Sequence, residues 1–325
     1  MHATSGNWQR GFALALTTAL CWGLLPIALK QLLDGMDAIT VTWYRLATAG
    51  LALGLYLACA RRLPRWPLTS AKNLRLYGVA LLGLAGNYVL YLVSLDYTTP
   101  TIAQIMGQIS PIMLLFGGMV FFGERFARIQ WLGFLCLVIG LPIFFHDRLA
   151  QFLALDSRLG LGVITMFCAS TVWAAYALAQ KQLLAKYSSA QVLFMVYTGS
   201  IPLLLPWSHL SKLFELDVNQ LGLLAFCCAN TLVGYGCFAE ALDHWEVSRV
   251  GAVVSIAPLI TIAAVQLPAL VWPGAPAPEP LTPLSLFGAC LVVTGSMTCA
   301  LGAAESMTGT TDPNVRQDES YARES

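Results

Sequence analysis

Gln104 and Gln108 stand one helical turn apart and Pro111 follows at the next turn, so the three share one face of a helix. The stretch that holds them, 99–122, is otherwise strongly apolar. Inside a bilayer an uncompensated polar group is costly, so a glutamine at depth needs a neighbouring helix, a water-filled cavity or a ligand. A proline at mid-span also frees the carbonyl one turn earlier, and a free carbonyl beside a glutamine can hold a small molecule by hydrogen bonds. The arrangement recurs in 247–272, where Gly251, Ser255 and Pro258 take the places of Gln104, Gln108 and Pro111. Pro111 and Pro258 are therefore hinge candidates. The alternative is a kink that only shapes packing, with the glutamines bonding adjacent helices.

Further polar and aromatic groups fall on stripes of other apolar stretches. Asn87, Tyr91 and Ser94 share one helical face, and Trp173, Tyr176 and Gln180 share another. Trp22, Asn230 and Tyr235 add to the set. Aromatic walls with a few uncharged polar groups suit a small ligand that is neutral, zwitterionic or partly apolar; core packing with interhelical hydrogen bonds is the other reading. Two charges look embedded. Arg45 is either an interfacial anchor or a substrate-binding or gating group, and Glu240 is either a protonatable carboxylate or a shallow interfacial one. No HExxH or GxSxG pattern is present, and the four histidines are scattered, so an intramembrane enzyme is not supported. The Asp243-His244-Trp245-Glu246 turn lacks a second ligand cluster, so neither a metal nor a cofactor is expected.

The elements that carry these residues are set by composition. Of 325 residues, 57% are hydrophobic and 11% charged, with a mean hydropathy of +0.68, whereas soluble domains average about 25% charged. This is an all-α integral membrane protein whose partner is the lipid bilayer. Ten stretches each approach the ~20 residues needed to cross the hydrocarbon core: 11–30, 39–60, 74–95, 99–122, 129–146, 159–181, 190–207, 219–241, 247–272 and 283–304. The second five repeat the first five. Trp22 and Lys30 are matched at a spacing of 151 by Trp173 and Lys181, and Lys30-Gln31-Leu32-Leu33 recurs as Lys181-Gln182-Leu183-Leu184. Asp96 and Pro111 fall on Asp243 and Pro258 at 147, and Gly133 and Gly140 on Gly288 and Gly295 at 155. An odd number of spans per unit ends each copy on the opposite side, so the two copies must be inverted.

The chain thus divides into an N-terminus (1–10), a first unit (11–146), a linker with an interfacial helix pattern (147–158), a second unit (159–304) and a polar, disordered tail (305–325). The nine cysteines all fall within spans and read as buried apolar residues. With the N-terminus inside, thirteen lysines and arginines flank the cytoplasmic ends and four the outer ends, which places both termini in the cytoplasm. A net charge of +1 gives no reason to expect nucleic acid.

The paired five-helix units resemble the drug/metabolite transporter superfamily, EamA type. The likeness rests also on Tyr44-Arg45-Leu46, Ser110-Pro111 and Ala257-Pro258, and on Phe122-Gly123-Glu124-Arg125 followed by Trp131-Leu132-Gly133. It spans roughly residues 11–303. The resemblance implies a central cavity formed by helices 1–4 and 6–9, with helices 5 and 10 at the periphery. It also implies export of small metabolites, amino acids or drugs across the inner membrane, by proton-linked or facilitated exchange. Val196 stands at the repeat position of Arg45, so the second half lacks that cation. A non-transporting membrane scaffold would not need inverted duplication. A reporter fused after Ala71 is expected to be cytoplasmic and one fused after Gln151 periplasmic; both reporting the same side would contradict the inverted arrangement.

Overall fold

The computed structural model describes residues 7–64, 70–122, 127–153, 157–271 and 278–308. Among them, every regular element is a helix. The order is α1 (Trp8–Leu32), α2 (Ala38–Cys59), α3 (Ala71–Tyr97), α4 (Pro100–Gly107), α5 (Ile109–Phe122), α6 (Arg128–Phe144), α7 (Leu149–Leu153), α8 (Arg158–Leu183), α9 (Ser189–Leu204), α10 (Val218–His244), α11 (Val247–Val254), α12 (Ala257–Val271) and α13 (Pro283–Thr308). Short 3-10 turns at Leu205–Trp207 and Leu210–Glu215 link α9 to α10.

Polar residues at the loop edges start these helices as the sequence pattern dictates. Asp37 accepts the amides of Ile39 and Thr40, Thr99 precedes Pro100 at the first position of α4, and Ser188 with Gln191 and Asp217 with Gln220 form capping boxes. Eight helical stretches among the described residues are long and apolar enough to cross a membrane. The apolar α6 is shorter, at 17 residues, and α2 carries Arg45 within its 22 residues. Large apolar side chains face outward, with Val120 77%, Phe121 71% and Leu51 66% exposed. In water such a surface would aggregate; against lipid it costs nothing.

The two stretches read as continuous spans are each broken. The chain leaves the helix at Gln108, between α4 and α5, and again at Ser255 and Ile256, between α11 and α12. Proline supplies the cause. Pro111 has no amide to give the carbonyl of Gly107, nor Pro258 to give that of Val254. The Gln108 amide turns instead to the Ile105 carbonyl at 3.2 Å, a tighter turn than the α-helix makes. Each proline then sits in the first turn of the new helix, where a missing donor does no harm.

Long helices pack in antiparallel pairs: α1 on α10, α3 on α8, α2 on α9 and α6 on α13. Along α3 and α8 the Ser94 hydroxyl donates to the Gly162 carbonyl at 2.7 Å and the Asn87 amide to Ala169 at 3.0 Å. The α6–α13 pair approaches most closely at glycines. A Cβ on Gly133 would lie 2.6 Å from the Gly295 carbonyl oxygen, and one on Gly140 would lie 3.0 Å from that of Gly288. Only hydrogen side chains allow backbones this near.

The linker forms a helix over α7, and residues 154–156 lie outside the described set. α13 continues to Thr308, four residues past the expected end at 304, because no helix breaker intervenes; 309–325 lie outside the described residues, as do Gly123, Glu124 and Arg125 of the resemblance motif and Trp66 and Trp272 of the interfacial set.

Candidate substrate site in the bundle core

The centre of the bundle is organised by α1. Pro26 is buried within that helix, and it has no amide to bond the carbonyl of Trp22. The Gln104 side-chain amide takes that carbonyl at 2.7 Å. On either side, the Cys21 carbonyl accepts from Asn230 at 2.7 Å and the Gly23 carbonyl from the Thr261 hydroxyl at 2.6 Å. Three successive carbonyls of α1 thereby fasten α10, α4 and α12. Gln104 lies one turn before the first helix break and Thr261 just over one turn after the second.

Against this hub lies an aromatic cluster. Tyr88, Tyr176 and Tyr197 are almost wholly buried and pack with Trp173 and Tyr235. Trp22 joins through ring contacts with Tyr235 at 5.3 Å and Phe238 at 5.6 Å. Tyr91 bridges the two neighbouring apolar clusters and keeps partial exposure deep in the bundle. Arg45 is in the same region and only 4% exposed. Its Nε donates to the Thr231 hydroxyl at 3.2 Å, and its guanidinium carbon lies 4.7 Å from the centre of the Tyr88 ring. That geometry is a cation–π contact. The interfacial-anchor reading of Arg45 is therefore replaced by a core position.

Of the residues singled out in the sequence, Trp22, Tyr91, Trp173, Tyr176, Tyr235 and Arg45 converge on this core. Asn87, Gln104 and Asn230 spend their amide nitrogens on backbone carbonyls and act as interhelical clamps; Gln108 occupies the break itself. Glu240 lies elsewhere, at the opposite end of α10 from its start, 44% exposed and paired with Arg10 at 2.9 Å and His244 at 3.3 Å. Tyr88, Tyr197, Thr231 and Pro26 were not singled out in the sequence. Tyr88 was legible as a member of the Leu84, Tyr88, Leu92, Leu95 stripe, and Pro26 as a mid-span proline like Pro111; Tyr197 and Thr231 carried no distinguishing signal.

Two clefts open away from the core. One, about 560 Å³, lies at the end of the bundle between the α1–α2 turn and the end of α3, beside Asp37 and Asp96. The other, about 340 Å³, is an apolar lateral groove between α1, α10 and α12. No group of three or more histidines, cysteines or carboxylates able to hold a metal occurs among the described residues.

A bundle whose core joins broken helices, clamped backbone carbonyls and an aromatic wall has the form of a solute carrier. The EamA-like transporter family model matches residues 9–145 and again 160–301. The chain belongs to the EamA-like transporter family. It is 40% identical over 295 residues to the uncharacterized inner membrane transporter YhbE of Escherichia coli (strain K12), covering 90% of this chain and 91% of that one. It is 23% identical over 296 residues to a probable amino-acid metabolite efflux pump of the same organism, covering 87% and 92%. A crystal structure of a protein 16% identical shares the fold, with a TM-score of 0.60 over 90% of this chain and 98% of that one. For this EamA-like chain, Gln104→Leu is expected to destabilise by about 1 kcal/mol, because the Trp22 carbonyl loses its donor. In a Pro26→Ala background, where the helix regains its own donor, the same change is expected to cost little. Equal shifts in melting temperature in the two backgrounds would dissolve the hub.

Proposed function

We propose that the chain is a secondary transporter of ten membrane-crossing helices in two inverted five-helix repeats, exporting a small amino-acid-like metabolite by alternating access. In this reading α2 and α6 also cross the bilayer, α4–α5 and α11–α12 each count as one broken span, and both termini are cytoplasmic.

The glycine contacts carry the reading. Gly133 and Gly288 hold the same repeat position, as do Gly140 and Gly295, yet Gly133 meets Gly295 and Gly140 meets Gly288. Crossed contacts of this kind arise when a pair is antiparallel and related by a two-fold axis. A second pair agrees. The Thr18 hydroxyl donates to the Gly234 carbonyl and Asn87 donates to Ala169, and Thr18 and Ala169 are repeat mates, as are Asn87 and Gly234. The double match of one family model to the two halves supports the same duplication.

The two ends of the bundle differ. At the end assigned to the outside, Leu29, Leu32, Leu92 and Leu95 are fully buried between α1 and α3, and Lys30 Nζ donates to the carbonyls of Leu95 and Asp96 at 2.8 and 2.9 Å. Their repeat mates, Gln180, Leu183, Ala239 and Leu242, include one polar and one small residue, and α8 and α10 make little contact among the described residues. The pose is closed outside and looser inside, the arrangement of an exporter poised to load from the cytoplasm. The name of the amino-acid metabolite efflux pump supports the substrate class.

Proteoliposomes holding the purified protein are expected to exchange labelled amino-acid metabolites in counterflow. Pro111→Ala and Pro258→Ala should slow that exchange several-fold while leaving the melting temperature unchanged or higher, since each restores a helix donor. Absence of flux for every amino-acid metabolite tried would overturn the transport reading, and parental rates in both single variants and the double variant would overturn the hinges.

A further inference from the structure

Arg45 is a buried cation with no anion. No carboxylate forms an ion pair with it among the described residues, its Nε is held by Thr231, and its two terminal nitrogens make no hydrogen bond to a described residue. The residue is 4% exposed and its unpaired terminal nitrogens keep what little accessible surface it has, so a poorly hydrated charge stands open to a negative partner. Its surroundings are oriented rather than slack. The ring of Tyr88 covers one face, and the Nε bond to Thr231 fixes the plane, so the edge bearing the terminal nitrogens is presented in one direction.

A second polar group in the same core is left unpaired: the side-chain oxygen of Asn230 is buried with no partner. The Tyr88 hydroxyl is turned instead toward those of Tyr197 and Tyr235. The Asn230 oxygen is fixed as an acceptor because its amide nitrogen is committed to the Cys21 carbonyl. Asn230 adjoins Thr231 on α10, so this acceptor and the guanidinium belong to the same level of the bundle. A cation offering forked donors, an orphan acceptor at the same level of the bundle and an aromatic wall form a complementary set. The first takes a carboxylate through two parallel N–H bonds, the second takes an N–H, and the third takes an apolar side chain.

We propose that Arg45 is the carboxylate anchor of the transport site, which selects small monocarboxylates bearing an N–H donor, α-amino acids and their N-substituted derivatives foremost. The inference rests on the transporter reading above and adds the substrate's anchoring group. It accounts for the single cation. The repeat mate of Arg45 is Val196, fully buried, so the second half supplies no matching cation and one carboxylate is bound at one place. A polyanion would find no second buried cation among the described residues.

The test uses the purified full-length protein in lipid nanodiscs and a matched panel: phenylalanine, leucine, N-acetylphenylalanine, phenylalanine amide, leucine amide and 2-phenylethylamine. Thermal stabilisation is expected from the carboxylates only. Arg45→Gln should raise the half-saturating concentration by roughly tenfold or more, and Arg45→Lys, which keeps the charge but loses the fork, should fall between. Tyr88→Phe serves as a folded control that keeps the ring over the guanidinium and removes the hydroxyl turned toward Tyr197 and Tyr235; a modest loss of carboxylate response in it supports the site even if Arg45→Gln fails to fold. Stabilisation by the amides or the amine equal to that by the acids, an unaltered response in folded Arg45→Gln, or no response to any carboxylate would overturn the anchor. Counterflow with the same panel separates the two readings. Carboxylate binding without flux would sink the transporter and leave the anchor, whereas flux of amides or amines would sink the anchor and leave the transporter.

Discussion

Backbone carbonyls in a bilayer core have no water to turn to, and the whole bundle is arranged around three of them. Pro26 takes away the helix's own donor to the Trp22 carbonyl, and α4 supplies a replacement from Gln104. The neighbouring carbonyls of Cys21 and Gly23 are claimed by Asn230 and Thr261. One helix so fixes the positions of α10, α4 and α12. Because Gln104 and Thr261 each lie close to a helix break, both breaks are held against the same point on α1. The aromatic cluster and Arg45 are packed beside that point, so the site sits where the backbone is least regular and most tightly tied.

The packing also says which bodies can move. The tight antiparallel contacts join α1 to α10 and α3 to α8, and the repeat exchanges these pairs: α8 is the mate of α1, and α3 of α10. Each pair draws one helix from each sequence half. In the proposed cycle, rocking separates one pair from the other, with α1 parting from α3 at one end as α8 closes on α10 at the other. The leucine seal and the Lys30 bonds act at the first end. The second end has Gln180 and Ala239 where the first has Leu29 and Leu92. On the proposed reading, the weaker seal at one end sets the resting preference without any change in the core.

Much of this was legible before the coordinates. Apolar length and repeat spacing marked the helices. Trp22, Trp173, Tyr176 and Tyr235, grouped by their mid-span positions, pack into one aromatic cluster, since aromatic residues at mid-span on a polar stripe have few places to go. The sequence marks Pro111 and Pro258 as hinge candidates within continuous spans and leaves the breaks at Gln108 and Ser255 unseen, because a proline announces a lost hydrogen bond but not whether the turn before it unwinds. Arg45 was ambiguous for a different reason. Two turns from a helix end, a long cation can reach water or stay inside, and the choice depends on Thr231 and Tyr88 on other helices. The amides of Asn87, Gln104 and Asn230 were legible as polar groups at depth, and whether they serve a ligand or a backbone is decided only by which carbonyl lies opposite.

The central claim is that the two ends of the bundle open in alternation about the α1 hub. Pulsed electron paramagnetic resonance tests it most directly, with spin labels on Asp34 and Asp96 at one end and on Ala185 and Glu246 at the other, in a protein lacking its native cysteines. On addition of a transported substrate in nanodiscs, the account predicts that the first distance lengthens as the second shortens, within one population. Distances that stay fixed at both ends, or that change in the same direction, would contradict it.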